Sequence, residues 1–79
     1  MTSMKRIPVE SRCLAAVGYD PRRHVLELEF HGGGVYQYPS VPAAVHRALL
    51  AAESLGAYFN AQIKNRYPFR VIRTPRSDR

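Results

Sequence analysis

Residues 25–30, Val-Leu-Glu-Leu-Glu-Phe, alternate without interruption: Leu26, Leu28 and Phe30 share one face, Glu27 and Glu29 the other. That period of two predicts a half-buried strand. Gly32-Gly33-Gly34 follows, then a second short strand through Tyr36 and Tyr38 up to Pro39. The pattern chooses between two hairpin registers. A two-residue Gly32-Gly33 loop pairs Phe30 with Val35 and puts both tyrosines on the glutamate face. A three-residue loop pairs Phe30 with Tyr36, Glu29 with Gln37 and Leu28 with Tyr38. It gathers every large apolar group on one face, and a slip of one residue reverses this. The three-residue loop is expected, with a glycine in the left-handed region closing a bulge. Upstream, residues 11–19 predict another strand, joined to 25–30 by the turn Asp20-Pro21-Arg22-Arg23. Its alternation is imperfect: either Leu14 and Ala16, or Cys13, Ala15, Val17 and Tyr19, face the core. The second set buries more apolar area and is preferred.

Past Pro39 the period changes. Ser40 is the expected N-cap and Pro42 sits in the first turn, where no intrahelical donor is required. Val41, Ala44, Val45, Ala48, Leu49 and Ala52 then follow helical spacing. Glu53-Ser54 interrupts the stripe, and Ser54 caps a second helix whose face is Leu55, Tyr58/Phe59 and Ile63. Gly56 in its first turn costs about 1 kcal/mol against alanine, so a close approach to the sheet or the first helix is expected there. Tyr67-Pro68 ends the helix, and Phe69 to Arg73 alternates loosely enough to add an edge strand. The fold class is α+β: a three-stranded antiparallel meander, with a possible fourth edge strand at 69–72, packed on one face by two short helices at about 41–52 and 55–64. Residues 1–9 read as a flexible leader, 10–72 as a single domain and 73–79 as a basic disordered tail.

Charge narrows the choice of partner. Twelve Lys and Arg against six Asp and Glu give a net charge of +6 over 79 residues. Lys64, Arg66, Arg70, Arg73, Arg76 and Arg79 crowd the last sixteen positions against one acid, Asp78. Such asymmetry favours an anionic partner, and a solvated tail that keeps the chain soluble is the competing explanation. The single cysteine, Cys13, excludes an intramolecular disulfide and suits a reducing cytoplasm. No apolar stretch follows the N-terminal residues as a secretory signal requires, and none reaches bilayer length. A cytoplasmic location with no membrane partner is expected.

Several short motifs occur in a fixed order: Gly18-Tyr19-Asp20, then Tyr36-Gln37-Tyr38 after the glycine turn, then Val41-Pro42. Ala52-x-Ser54-x-Gly56-x-Tyr58-Phe59-Asn60, Ile63-Lys64 and Tyr67-Pro68 follow. Together they resemble the KTSC domain, a family named for a module at the C-terminus of some lysyl-tRNA synthetases and found also as small stand-alone bacterial and phage proteins. The resemblance covers about residues 10–72. It implies a small binding module, with an RNA-binding role by association with a tRNA enzyme, and supplies no catalytic residue to carry over.

The residues themselves offer two routes to nucleic acid. Lys64, Arg66, Arg70 and Arg73 are the candidate phosphate contacts, which give affinity with little sequence choice. Tyr36 and Tyr38 are candidate stacking platforms, but the register turns them toward Leu28 and Phe30. They are therefore read as structural, as are Ser54, Gly56 and Tyr58. Cys13, His24, His31 and His46 lie at unrelated spacings, so no metal site is expected. Glu27 and Glu29 read as a solvated strand face, and the glycine run lacks the Gly-Lys-Ser/Thr of a phosphate loop. No catalytic residue, cofactor or enzymatic activity is expected. Two functions follow: an RNA-binding module acting through a basic surface, or a protein-interaction or self-association module. The second would use the small-residue surface of Ser54, Gly56 and Ala57, or an edge strand near Phe69.

Overall fold

The alternating segment becomes the middle strand of the molecule. The structure, a computed structural model, describes residues 5–75. Five strands form one antiparallel sheet in chain order: β1 (Ile7–Pro8), β2 (Leu14–Asp20), β3 (Val25–Phe30), β4 (Val35–Tyr38) and β5 (Arg70–Arg73). Between β4 and β5 the chain forms α1 (Ala43–Ala51) and α2 (Leu55–Tyr58), and α2 runs into a π-helical turn over Phe59–Ile63. The fold is α+β, with the expected edge strand present as β5 and a further short strand, β1, at the opposite edge.

The β3–β4 hairpin keeps the expected faces with a different register. Leu28 lies opposite Tyr36, Leu26 opposite Tyr38 and Glu27 opposite Gln37. The loop has three residues, but they are His31, Gly32 and Gly33, one position earlier than expected. Phe30 N–H donates to Gly34 O at 2.8 Å and Gly33 N–H to Phe30 O at 2.9 Å, with Gly33 at φ 97°. Each pairing therefore moves by two residues. A shift of two preserves side-chain parity, so both tyrosines stay on the apolar face. The preceding turn forms as expected: Asp20 Oδ1 accepts from Arg22 N–H at 3.0 Å, and His24 closes the turn at φ 60°.

On β2 the preferred core set needs correction. Val17 is buried and Tyr19 packs on the core, but Cys13 is exposed and Leu14 is completely buried. A bulge between Leu14 and Ala16 explains the mixture: Leu14 pairs with Phe30, yet Ala16 pairs with Glu29. The extra residue changes phase, so Leu14 and Val17 face the core together. Residues 7 and 8, expected within a leader over 1–9, form an edge strand. Ile7 pairs with Val17 and Pro8 with Ala16, because an X-Pro step is already extended and an edge strand tolerates a missing donor. Arg73, expected to begin the tail over 73–79, is instead the last residue of β5, and residues 76–79 of that tail lie outside the described residues.

Helix α1 begins after Pro42, not under a Ser40 cap, and no side chain caps it. The backbone fixes its start instead: Val41 N–H donates to His24 O at 2.9 Å, and Pro42 O accepts from Val45 N–H at 3.0 Å. Ser54 does cap α2, its Oγ accepting from Ala57 N–H at 3.1 Å. The close approach at Gly56 is to Cys13, where an added Cβ would lie 3.1 Å from Sγ. Leu14, Val17, Leu26, Leu28 and Tyr38 from the sheet meet Val41, Leu49, Phe59 and Ile63 in one core.

The opposite sheet face is not simply solvated. Glu27 is only 3% exposed. Arg6 pairs with its carboxylate, and Gln37 Nε2 donates to Oε1 at 2.8 Å. Arg6 also reaches Glu29 at 3.2 Å, and Arg73 meets Glu29 at 3.6 Å while its Nε donates to Gly33 O at 2.9 Å.

The bulge makes a direct prediction. Leu14→Ala should cost about 2–5 kcal/mol through loss of buried side-chain volume. Cys13→Ser, one residue away, should cost less than about 0.5 kcal/mol as an exposed change. Urea unfolding of the two variants measures the contrast, and similar losses would contradict the phase change in β2.

Candidate functional site: an aromatic groove with a basic rim

Strand β4 alternates Tyr36 and Tyr38 onto the helix-bearing face, and the three segments around it add more rings. Phe30 comes from the end of β3, Phe59 from the π turn and Phe69 from the residue before β5. Together they line an open groove of about 450 Å³, with Lys64 at its edge. Phe30 meets Tyr36 at 5.6 Å between centroids and Phe59 at 5.4 Å, both edge to face. Phe69 stands 5.5 Å from Tyr36 and 5.7 Å from Tyr38. These separations lie in the range where tilted aromatic pairs attract beyond simple area burial.

The two tyrosines are not equivalent. Tyr38 belongs to the core, and burial, reinforced by neighbouring Tyr36, pushes its phenol up to about 12. Its hydroxyl stays neutral throughout the physiological range. Tyr36 is half-buried, and Phe69 is 52% exposed and forms the outer wall. Tyr38 lies in the core and Tyr36 packs against it, and both rings line the groove.

The four candidate cations do not form one patch. Lys64 follows the buried Ile63 directly and reaches the groove. Arg66 is exposed just past the π turn, where its N–H donates to Ile63 O at 3.1 Å. Arg70 lies opposite Gln37 and Arg73 opposite Val35, so the pleat directs both toward the glutamate face. Arg73 is engaged there by Glu29, whereas Lys64, Arg66 and Arg70 form no ion pair among the described residues.

The remaining motif residues lie away from the groove. Ser54 caps α2, Gly56 admits Cys13, and Tyr58 packs on the core. At the other end of α1, His46 stacks on Tyr19 at 4.5 Å with 11° between the rings, and Tyr19 Oη donates to Val41 O at 2.6 Å. Burial, then nearby Arg47, lowers the His46 pKa; burial, then Asp20, raises that of Tyr19. No three His, Cys, Asp or Glu residues are grouped to hold a metal ion among the described residues, and none of their helices is long and apolar enough to cross a membrane. The groove was missed in the sequence reading, which took Phe69 only as part of an edge strand. An aromatic immediately after Tyr67-Pro68, where the chain returns to the sheet, was the available signal.

A five-stranded antiparallel sheet carrying its helices on one face, with an aromatic groove beside β5, defines a small α+β domain. The chain belongs to the KTSC domain family, whose model matches residues 10–67. This is not a known enzyme family. A crystal structure of a KTSC domain protein from Yersinia pestis is similar at a TM-score of 0.85 and 38% identity, covering 89% of this chain and 99% of that one. An uncharacterized protein from Stutzerimonas stutzeri is 48% identical over 61 residues, 77% of this chain and 86% of its own length. A lysine–tRNA ligase from Nostoc sp. is 37% identical over 63 residues, which span 80% of this chain and 11% of the ligase.

The Tyr19–His46 stack carries a pH prediction. A histidine with a lowered folded pKa binds fewer protons folded than unfolded, so stability falls as pH drops below the unfolded value of about 6.5. Replacing His46 with phenylalanine keeps the stacked ring and removes the titration. Thermal melts between about pH 5 and 7 should show a shallower pH dependence for His46→Phe than for the wild type; equal slopes would refute the assignment.

Proposed function

We propose that the protein is a non-catalytic RNA-binding module that contacts phosphates through its basic surface. One observation carries the reading: Lys64, Arg66 and Arg70 are exposed, without an ion pair among the described residues and within seven positions, with Lys64 on the groove and Arg70 on the glutamate face of the sheet. A cation already matched to a carboxylate has little to offer a phosphate. Of the four candidate cations these three are the available contacts, and Arg73 is secondary because Glu29 holds it. The similarity to a segment of a lysine–tRNA ligase agrees with an RNA partner.

A second reading rests on the β5 edge. Val71 and Ile72 are 47% and 49% exposed on a strand paired only on its β4 side. Such an edge accepts an added strand from a partner. Self-pairing is disfavoured, because the symmetric antiparallel register sets Arg70 of one copy against Arg73 of the other, and like charges directly opposite are destabilising. A monomer mass that does not change with concentration would exclude a homodimer and leave only a different protein as partner.

Phosphate-led binding has a salt signature. Three neutralised phosphates on a single strand give a log–log salt slope of about −2. Lys64→Glu/Arg66→Glu/Arg70→Glu should weaken RNA binding and bring that slope close to zero, with the fold intact because all three side chains are exposed. Arg73→Glu should have a smaller effect on affinity. Fluorescence anisotropy with a labelled single-stranded RNA across a salt series measures both, and an unchanged affinity in the triple variant would sink this mechanism.

A further inference from the structure

We propose that the aromatic groove is a nucleobase site, stacking one unpaired base against Tyr36 and Phe69 and setting its phosphate on Lys64. The inference deepens the RNA reading and rests on it, but it concerns a part of the surface that phosphate contacts alone do not require.

The lining selects the ligand. Five aromatic rings converge on the groove, and their geometry leaves ring faces and edges, not hydrogen-bonding groups, as its main surface. A flat ligand with an apolar face fits such walls. Aromatic walls also attract cations, and here the charges oppose that. Lys64 is the charged residue on the groove, while Glu27 and Glu29 lie on the opposite face of the sheet, opposite Gln37 and Val35. A positive ligand would meet a like charge with no carboxylate to balance it among the described residues lining the groove. A flat aromatic group bearing a negative charge satisfies both the rings and the lysine, and a nucleotide has that chemistry.

Size and access agree. A volume of about 450 Å³ falls toward the small end of ligand clefts. It suits one nucleotide, with the remainder of a strand outside on the cations. Among the described residues the mouth is open beside the hairpin: a Cβ built on Gly32 meets none of them within 4 Å. Phe69 offers an exposed ring as the outer wall. A base stacked there is read by its π-face, so the site discriminates base from no base more than one base from another.

Gly32 also supplies a test that spares the core. It lacks the positive φ of Gly33, so Gly32→Leu should fold normally while placing a side chain across the mouth. Phe69→Ala removes the outer wall from an already exposed position. The full-length chain and both variants are titrated with oligoadenylate, with an abasic ribose-phosphate oligomer of equal length, and with free AMP, following affinity and the NMR shifts of Tyr36 and Phe69. Wild type should prefer oligoadenylate over the abasic oligomer by about five- to 150-fold, the loss typical of one base stack. Both variants should bind the two oligomers equally, each with its thermal melt confirming the fold. Equal wild-type affinity for the two oligomers overturns the groove assignment and leaves phosphate-led RNA binding standing. Shifts in the groove with AMP but no binding of either oligomer uphold a nucleotide site and overturn the RNA reading. No response to any of the three probes overturns both.

Discussion

The carboxylate of Glu27 imposes the condition that the rest of the sheet meets. A buried charge must be matched by a cation and by hydrogen bonds, or its burial opposes folding. Glu27 recruits Arg6 from the segment leading into β1 and Gln37 from β4. Arg6 continues to Glu29, and Glu29 takes Arg73 from β5. One network of side chains thus runs from one edge strand to the other across the face that no helix covers. It holds the two strands with least support of their own: β1 has two residues, and all four residues of β5 are exposed. With β5 seated, Phe69 stands against Tyr36 and Tyr38, so a polar network on one face shapes an aromatic groove on the other.

The helix-bearing face contributes the groove's charge. Phe59 and Ile63 bound the π turn and are both buried, which anchors that turn to the sheet. Lys64 is the next residue, and its N–H closes the wide turn by donating to Phe59 O at 2.8 Å. The side chain that follows a buried isoleucine therefore emerges at the rim, with little freedom in where its stem begins. Ser54, through its cap, and Gly56, through its contact with Cys13, fix the start of the same helical segment. Ser54 and Gly56 thereby help to place the lysine.

What could be read in the sequence was local and periodic. The alternation of residues 25–30 and the tyrosine spacing identified the faces of β3 and β4 correctly, because parity survives a shift of two. Absolute register did not follow, since three consecutive glycines leave the start of the loop undetermined and His31 joined it. The Ser54 cap was legible because its chemistry is complete within four residues. The β2 bulge was not: it is decided by Leu14 reaching the core, a tertiary gain with no mark in the alternation. The four cations looked like one patch because they are close in sequence. Strand pairing then placed Arg70 and Arg73 opposite Gln37 and Val35, away from Lys64. The groove assembles from positions 30, 36, 38, 59 and 69, which only the completed sheet brings together.

Under the proposed reading the two parts of the surface act by different physics. Contacts from Lys64, Arg66 and Arg70 to phosphates draw their free energy largely from released counterions, so salt weakens them and sequence hardly matters. Stacking in the groove depends on ring overlap and exclusion of water, and salt affects it little. Charge alone would give a domain that adheres to any polyanion, including double-stranded nucleic acid. Rings alone would give a weak pocket for free nucleotides. Combining them restricts tight binding to strands whose bases are unpaired, because a paired base cannot enter a groove of this size without leaving its helix. Rings and Lys64 on one face of the sheet, with Arg70 on the other, therefore give selectivity for single-stranded regions under this reading, without any side chain having to identify a particular base.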